Sequence, residues 1–529
     1  MYRLRLILPH VTVIAMAVAS GVSLLLAHAP YNVWPASFLA PALLVAAVWH
    51  TAATRSKPTV PAALVGLIAG ASFFGPLLSW LILPAGLVGW LLLAFTQTVY
   101  VALLAVIIHA TRKARFAALA VGTAWTSIDV IRGVFPLGGF EWGAIAYAHV
   151  DGSWLLPVAR IGGAHAITLL VVTLSVAALQ IVIDTKTVAH KRHDQQLGAT
   201  LSIRHVPTAT LLGGLFLSVL LTIEPPAAHG TLDVLAVQGN DVKHWEENRP
   251  RGDAPLRIVN ALADQTLASV VAAGPPDVTF WPESAIDRDP FSARGQSLLP
   301  AIRASTAVTS PLIAGITLDG PDPQTQRFVA AAVFDDSASI VGQYTKRRLV
   351  PFGEYIPLRR FLDWFPPLQQ TPRDAIAGST PQQIVLADGT RIAVAICFET
   401  MFSSTIHSNI TAGDEDAGLI VVLTNNASFG VSAAPYQHLA QSQLRAVETG
   451  RWVVHAAISG ASAIIDPHGR IHQQTGLFTL ETLRADVPLV DGRTPFLATG
   501  DIVGFLSVFS LLIMGGTQAF KRVRRRASR

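Results

Sequence analysis

Hydrophobic and polar positions divide the chain of 529 residues into three regions. Residues 1–223 consist of long apolar segments that are separated by short basic breaks. Residues 224–493 alternate short apolar runs with polar stretches rich in Asp, Glu, Pro and Gly, as a folded domain in water does. Residues 494–529 hold one more apolar segment and a basic tail. The pattern predicts a membrane domain, a large domain outside the bilayer and a final membrane helix.

Eight apolar segments are candidates for transmembrane helices. A helix needs roughly 17–25 residues to span the hydrocarbon core, and most of the segments reach that length. They are 8–27, 34–50, 59–82, 87–109, 115–131, 155–183, 208–223 and 502–517. We therefore predict about eight membrane helices, seven before the large domain and one after it.

Basic residues in the short loops predict the orientation, because Lys and Arg are concentrated in cytoplasmic loops. If eight helices alternate, one side carries Arg3, Arg5, Arg55, Lys57, Arg112, Lys113, Arg115, Lys186, Lys191, Arg192, Arg204 and the tail Lys521-Arg-Val-Arg-Arg-Arg526. The opposite loops 28–33 and 84–86 have neither Lys nor Arg. The sequence thus predicts a multi-pass protein of the cytoplasmic (inner) membrane, with residues 224–493 on the extracytoplasmic side.

The start of the chain has two interpretations. Arg3 and Arg5, an apolar stretch and Ala27-His28-Ala29 resemble a signal peptide with its cleavage site. The apolar stretch is longer than the usual signal-peptide core of roughly 7–15 residues, which favours a retained helix. Either interpretation leaves the large domain on the same side of the membrane.

Composition and charge agree with a membrane protein. Hydrophobic residues make up 51% of the chain and charged residues only 14%, against about 25% charged residues in soluble domains. The isoelectric point of about 9.5 reflects basic loops and a basic tail, which positive-inside orientation and anionic lipid explain without nucleic acid. We expect the bilayer as a partner, no nucleic acid, and a monomer.

Residues 224–493 predict an α/β fold with buried sheets, because strands and helices alternate. The predicted strands are 232–238, 277–281, 311–318, 327–335, 339–344, 383–386, 392–396, 419–424, 452–457 and 462–466. The predicted helices are 255–272 and 435–449, the second ended by Gly450.

Three polar residues follow predicted strands, where α/β sheets place their chemistry. They are Glu283, Lys346 and Cys397, the only cysteine of the chain. Singly, each has an ordinary alternative: Glu283 could cap a helix, Lys346 could be a solvated loop charge, and Cys397 could be a buried inert thiol. Together they supply a carboxylate base, a cation for an oxyanion and a nucleophile, which is the set that acyl transfer requires.

The motifs around these residues resemble a known superfamily. Trp281-Pro-Glu-Ser284, Lys346-Arg-Arg-Leu-Val-Pro-Phe-Gly-Glu-Tyr355 and Ile396-Cys-Phe-Glu399 are similar, in this order, to the Glu, Lys and Cys motifs of the nitrilase (carbon–nitrogen hydrolase) superfamily. Eight flanking membrane helices narrow the resemblance to the apolipoprotein N-acyltransferase family. It implies an α-helical transmembrane bundle joined to a nitrilase-like α-β-β-α sandwich.

The resemblance also implies a reaction without a cofactor. A fatty acyl chain would pass from a phospholipid to a thioester on Cys397, and then to the N-terminal α-amine of diacylglyceryl-cysteine apolipoproteins. Glu283 would be the proton acceptor, Lys346 the oxyanion stabiliser and Cys397 the nucleophile. A backbone N–H near Cys397 would also bind the oxyanion.

Further residues have supporting roles by resemblance or by position. Glu354 is expected to hold Lys346, with an ion pair to Arg359 as the alternative. Glu399 is expected to orient the cysteine loop, and Phe398 to shape the pocket. The aromatic residues that could either cover an acyl-chain groove or pack in the core are Trp245, Trp364 and Phe365.

The membrane region has similar and dissimilar features. Asp129 and Arg132 match an acidic-x-x-Arg helix end, and their spacing predicts a helical ion pair. The loop Gly139-Phe-Glu-Trp142, with Tyr147, resembles a family loop that has Pro where this chain has Glu141, and it could shape a lipid entrance or form an interfacial aromatic belt. Other positions of note are Gly500-Asp501, which fits the family, and Ser428 and the turn at Ile458, which depart from it.

Three other functions remain open at this stage. A membrane-anchored amidase would use the same residues with water as acceptor, although one anchor would suffice for it. A transporter would need more ionisable residues in its helices, and a lipid-binding protein would not explain the three motifs. No spacing predicts a metal site, and no Gly-rich loop predicts nucleotide binding.

Overall fold

The structure is a computed structural model that describes residues 2–54, 59–192, 223–241, 254–309, 311–362 and 371–527, together with residues 210, 213 and 214. The chain divides into two compact units. The first comprises Met1–Ile82, Gly86–Ile223 and Thr499–Arg529, and the second comprises Leu83–Ala85 and Glu224–Ala498.

The first unit is helical, and the seven predicted segments that the structure describes are all helices. They are α1 (Tyr2–Ala27), α2 (Ala36–Thr54), α3 (Thr59–Leu77), α4 (Ile82–Thr111), α5 (Ala117–Arg132), α6 (Ala159–Arg192) and the C-terminal helix α13 (Ile502–Ala527). The predicted seventh segment, 208–223, lies outside the described residues except at four positions. The basic positions Arg55, Lys57 and Arg204 also lie outside them.

Length and composition identify the described helices that can cross a bilayer. Four stretches qualify, namely His10–Ala27, Thr59–Leu77, Ser79–Thr111 and Leu156–Asp184. Two shorter apolar stretches accompany them, Ala36–Thr51 and Ile502–Thr517. The remaining helix, α5, has only 16 residues and carries Asp129 and Arg132.

The second unit contains two mixed β-sheets. The strands are β1 (Ala228–Gln238), β2 (Val278–Ile286), β3 (Leu312–Asp319), β4 (Gln326–Phe334), β5 (Ile340–Thr345), β6 (Asp374–Ala375), β7 (Gln383–Val385), β8 (Arg391–Ile396), β9 (Leu419–Thr424), β10 (Trp452–Ala457), β11 (Ala463–Ile465), β12 (Ile471–Gln474) and β13 (Glu481–Val490). The helices are α7 (Ala254–Ala273), α8 (Leu299–Thr306), α9 (Arg359–Leu362), α10 (Ser403–Ile410), α11 (Ala434–Thr449) and α12 (Pro495–Thr499).

Each sheet has three parallel central strands with antiparallel neighbours. The order in the first sheet is β13-β1-β2-β3-β4-β5, with β6 beside β4. The order in the second sheet is β12-β11-β10-β9-β8-β7. The parallel strands are β1, β2 and β3 in the first sheet and β8, β9 and β10 in the second. Their carboxyl ends are the places where Glu283 and Cys397 were predicted to lie.

Alternation of side chains along the strands explains the layers. Val234 of β1 and Val394 of β8 belong to one core that lies between the sheets. Their neighbours Leu235 and Ala395 point the other way, Leu235 into a core with α7 and α8, and Ala395 into a core with α10 and α11. The unit is therefore the predicted α-β-β-α sandwich.

The sequence missed β6, β12 and β13 and misplaced Glu283. Strand β13 pairs antiparallel with β1 at the edge of the first sheet, where charged residues and Pro488 are tolerated. Glu283 was predicted to follow the second strand, but it lies inside β2, whose pairing with β3 is interrupted between Trp281 and Ile286. Gly315 of β3 permits this bulge, because a Cβ there would lie 2.3 Å from the Pro282 oxygen.

Candidate active site

Cys397 lies on a tight turn at the carboxyl end of β8. The strand ends at Ile396, and a short 3₁₀ helix, Cys397–Met401, starts immediately. The backbone of Cys397 has φ 49°, a left-handed conformation that is unfavourable for a residue with a Cβ and that concentrates at functional sites. The residue is partly exposed and packs against the core between the sheets, so the turn places the thiol at the end of the second sheet.

The Glu399 carboxylate holds this turn in place through hydrogen bonds from backbone N–H groups. Its Oε2 accepts a hydrogen bond from the N–H of Ile396 at 2.9 Å, and its Oε1 accepts from the N–H groups of Arg347 at 2.7 Å and Arg348 at 3.0 Å. The Tyr344 hydroxyl donates to the same carboxylate at 2.9 Å. Burial raises the pKa of Glu399, and the backbone donors oppose that rise. Glu399 thus ties the cysteine turn to the segment after β5.

Lys346 lies between two carboxylates directly after β5. Its Nζ donates to Glu283 Oε1 at 2.9 Å and to Glu354 Oε1 at 2.6 Å, and the side chain is 1% exposed. Burial alone would lower the pKa of Lys346, but Glu283 and Glu354 outweigh it and hold the pKa well above its usual value. Glu354 also accepts from the N–H of Val350 at 2.7 Å. The alternative partner of Glu354, Arg359, instead binds Asp374 at 2.6 Å.

Glu283 contacts the cation and influences the thiol. Besides its bond from Lys346, its Oε2 accepts from the N–H of Asn425 at 2.9 Å, and its carboxylate lies close enough to the thiol for each to shift the pKa of the other. Burial raises the pKa of Glu283, while Lys346 opposes the rise. Burial, and then the charge of Glu283, raise the pKa of the Cys397 thiol to about 12. The resting site therefore holds a protonated thiol beside a carboxylate that can accept its proton.

Two contacts at the site had no sequence signal. Asn425, at the end of β9, supports Glu283 only through its backbone N–H, so its side chain gave no indication. His438 on α11 lies 3.0 Å from the main-chain oxygen of Cys397, although the two are 41 residues apart in sequence. Ser428, where the family resemblance fails, is exposed in a short 3₁₀ turn.

Phe398 is partly exposed beside the nucleophile, and its ring packs edge-on against Phe402 at 5.1 Å. The other aromatic candidates, Trp245, Trp364 and Phe365, lie outside the described residues. In the part of the chain that the structure describes, no three His, Cys, Asp or Glu side chains are grouped so as to hold a metal ion.

In the first unit, Arg132 does more than pair with Asp129. Its Nε donates to Asp129 Oδ1 at 2.9 Å, and its Nη1 donates to the carbonyl oxygens of Phe140 at 3.0 Å and Trp142 at 2.8 Å. Arg132 therefore fixes the loop that follows α5. Of the residues noted in the sequence, Glu141 and Asp501 both bind one side chain, His165, at 3.0 and 2.7 Å.

Comparisons with known proteins cover both units. Residues 20–177 match the model of the apolipoprotein N-acyltransferase N-terminal domain, and residues 257–494 match the carbon-nitrogen hydrolase model. The apolipoprotein N-acyltransferase of Azotobacter vinelandii is 29% identical over 91% of this chain and 90% of its own. That of Pseudomonas aeruginosa is 29% identical over 96% of this chain and 97% of its own. A crystal structure of an amidase from Nesterenkonia sp. is 18% identical, with a TM-score of 0.34, and covers 50% of this chain and 92% of that chain.

The sandwich, with Glu283 inside a bulged strand and Lys346 and Cys397 directly after strands, together with the second match, defines a carbon–nitrogen hydrolase domain in an enzyme. The first match adds a second domain, and its residues 20–177 fall in the helical first unit. The chain belongs to the apolipoprotein N-acyltransferase family. It is a membrane enzyme, and the amidase that the sequence left open is not favoured, because an amidase accounts for only one of the two matched domains.

Proposed function

We propose that this enzyme moves a fatty acyl chain from a phospholipid to the N-terminal α-amine of diacylglyceryl-cysteine apolipoproteins, through a thioester on Cys397. The observation that carries the proposal is the buried contact of Lys346 with Glu283, together with the position of this carboxylate beside the Cys397 thiol, whose pKa it raises. Nucleophile, base and cation are thus in mutual reach. The family membership supports lipoproteins as the acceptors.

In the first step, Glu283 accepts the proton of the Cys397 thiol as the sulfur attacks the ester carbonyl of the lipid. A pKa of about 12 means that almost no thiolate exists beforehand, so proton transfer must accompany the attack. The tetrahedral oxyanion is stabilised by Lys346 and by a backbone N–H near Cys397. Collapse expels the lysophospholipid, whose alkoxide takes the proton from Glu283, and leaves the acyl thioester.

In the second step, the free α-amine of the lipoprotein attacks the thioester. Glu283, again a carboxylate, accepts a proton from the amine, and the same cation stabilises the second oxyanion. The thiolate leaves and is reprotonated by Glu283, and the product carries a third acyl chain in amide linkage. Because both substrates share one acyl-enzyme, ping-pong kinetics are expected.

The supporting residues have roles that their contacts favour. Glu354 keeps Lys346 charged and in place, Glu399 holds the turn, and Phe398 borders the nucleophile. The proposal includes a monomer in the inner membrane, with residues 224–493 as an extracytoplasmic catalytic domain, 1–223 as the preceding membrane domain and 494–529 as the last helix and cytoplasmic tail. The basic loops support this orientation.

The proposed reaction predicts an isolable intermediate. Purified protein incubated with a labelled phospholipid and no acceptor should accumulate a hydroxylamine-sensitive acyl adduct on Cys397. Addition of a diacylglyceryl peptide with a free N-terminus should discharge the adduct to the peptide amine. A peptide with an acetylated N-terminus is the control and should leave the adduct intact. Absence of the adduct, or its discharge to water alone, would contradict the transferase mechanism.

The rate of acylation is expected to fall as the pH drops through the pKa of Glu283. The group must be ionised to accept the thiol proton, and burial raises its pKa, so the decline begins at higher pH than for an ordinary glutamate. The thiol, with a pKa of about 12, stays protonated across the neutral range and produces no alkaline rise. Single-turnover acylation rates measured between about pH 5 and pH 9 test both the decline at low pH and the absence of a rise at high pH. A rate that increases steadily with pH, as for a free thiolate, would disprove the base role.

A further inference from the structure

His438 lies directly behind the nucleophile and takes part in none of the steps above. It belongs to α11, its side chain is buried, and its Nε2 is 3.0 Å from the main-chain oxygen of Cys397. Its Nδ1 faces the end of β9, where it lies 3.3 Å from Thr424 Oγ1 and 3.2 Å from the Asn426 side chain. The ring therefore bridges the cysteine turn and the neighbouring strand of the same sheet.

The partners determine where the ring carries its hydrogen. A carbonyl oxygen can only accept, so Nε2 must be the protonated nitrogen. Burial lowers the pKa of His438 to about 4, so the ring is neutral at pH 7 and Nδ1 is an acceptor. As placed, Asn426 turns Oδ1 towards Nδ1, and its buried Nδ2 has no partner among the described residues. The amide oxygen and nitrogen of Asn426 are nearly the same size. A half-turn of the amide group therefore lets Asn426 donate a hydrogen bond to Nδ1 of His438.

We propose that His438 is a positioning residue for acyl transfer, which holds the Cys397 turn in its left-handed conformation by donating Nε2–H to the Cys397 oxygen. The peptide group is planar, so fixing its oxygen also fixes the plane that follows Cys397 and the direction of the next N–H. Without that donor, the carbonyl would lose this hydrogen bond or would rotate away, and the turn would relax.

The effect on the reaction rests on the proposed function, but the effect on the thiol does not. Cys397 is the only cysteine in the chain, so alkylation by iodoacetamide reports its presentation without any lipid. A matched pair of variants tests the donor. In His438→Gln the amide nitrogen reaches about as far as Nε2, whereas in His438→Asn the side chain is one methylene shorter.

A neighbouring histidine provides the control. His455 is buried beside His438, with ring centroids 5.1 Å apart, and it is hydrogen-bonded to Ser442 at 2.8 Å through Nδ1. His455→Asn keeps a polar group near Ser442 and alters the same part of the sandwich, but none of its described hydrogen bonds is to Cys397. It should leave the alkylation rate of Cys397 within about twofold of wild type.

The full-length protein in detergent is expected to respond as follows. His438→Asn should slow alkylation and lower kcat by about tenfold, with KM for the phospholipid unchanged, because one buried hydrogen bond is lost. In His438→Gln, the alkylation rate and kcat should both lie within about threefold of wild type. The proposal is overturned if the two variants behave alike, or if His455→Asn slows alkylation as much as His438→Asn.

Asn426→Ala gives a second, milder test should His438→Asn not fold. It leaves the histidine in place and removes the group that orients it, so alkylation should slow by about threefold. An unchanged rate would overturn the proposal. If the variants change alkylation as expected while wild type forms no acyl adduct, the positioning role stands and the proposed function fails.

Discussion

Lys346→Met is expected to lose both activity and stability. The substitution leaves Glu283 and Glu354 buried and facing one another without their shared cation, and breaking a buried ion pair from one side costs about 3–5 kcal/mol. Loss of the cation for the oxyanion should also reduce kcat by roughly 10²–10³-fold. Thermal unfolding and acyl-transfer rates of the full-length protein measure the two effects separately.

The pH dependence of stability distinguishes this loss from ordinary misfolding. Burial raises the pKa of Glu283, and Lys346 opposes that rise, so in Lys346→Met the folded pKa of Glu283 lies further above its unfolded value and the group takes up a proton on folding. Stability gained from such groups is present at low pH and is lost as the pH rises. The variant should therefore become more stable from pH 7 to pH 5.

A second substitution provides the control for Lys346→Met. Adding Glu354→Gln to Lys346→Met removes one of the two neighbouring negative charges. The double variant should regain part of the stability but none of the activity. A variant whose stability is independent of pH, or is unaffected by Glu354→Gln, would contradict the role of Lys346 between the carboxylates.

Cys397→Ser is expected to abolish acyl transfer while the protein remains folded. Oxygen is smaller than sulfur and fits the same space, and Glu399 holds the turn through the N–H of Ile396, so the turn should persist. A serine hydroxyl is far harder to deprotonate than a thiol, and Glu283 alone is too weak a base for it. We expect a loss of at least about 10³-fold in kcat and no hydroxylamine-sensitive adduct.

The melting temperature is the control for this substitution. It should stay within about 2 °C of wild type, because a conservative change at a partly exposed residue costs little stability. Cys397→Ala should match Cys397→Ser in both measurements. A serine variant that retained a tenth or more of the wild-type rate would contradict a thioester mechanism.

The sequence predicted the layers of the second unit because strand periodicity and apolar runs are local signals. Strands β9 and β10 were predicted with their observed bounds, since both are mainly apolar runs whose only polar residues are Thr424 and His455. Strand β13 was missed, because Arg484 and Asp486 break the apolar pattern. Their charges are acceptable only at a sheet edge, where Arg484 binds Asp233 at 2.6 Å, and a sheet edge cannot be recognised from one strand.

The residues of the candidate site that lie in sequence motifs could be predicted. Glu283, Lys346 and Cys397 each lie in a recognisable stretch, and the structure brings them together. The position of Glu283 inside a bulged strand depends on Gly315 of the next strand, and its bond from Asn425 comes from the other sheet. His438 had no signal, because its link to Cys397 uses only a main-chain oxygen. Such contacts depend on tertiary structure, which single-sequence patterns do not encode.

The division of the site between the two sheets makes the proposed chemistry depend on complete folding. Glu283 and Lys346 belong to the first sheet, whereas Cys397 and Asn425 belong to the second. A nascent or half-folded chain with only one sheet assembled therefore holds either a thiol without its base or a base without its thiol. On the proposed mechanism, the protein can form the acyl adduct only after the two sheets have packed together. The rate at which a refolding protein gains this ability therefore reports the last step of folding.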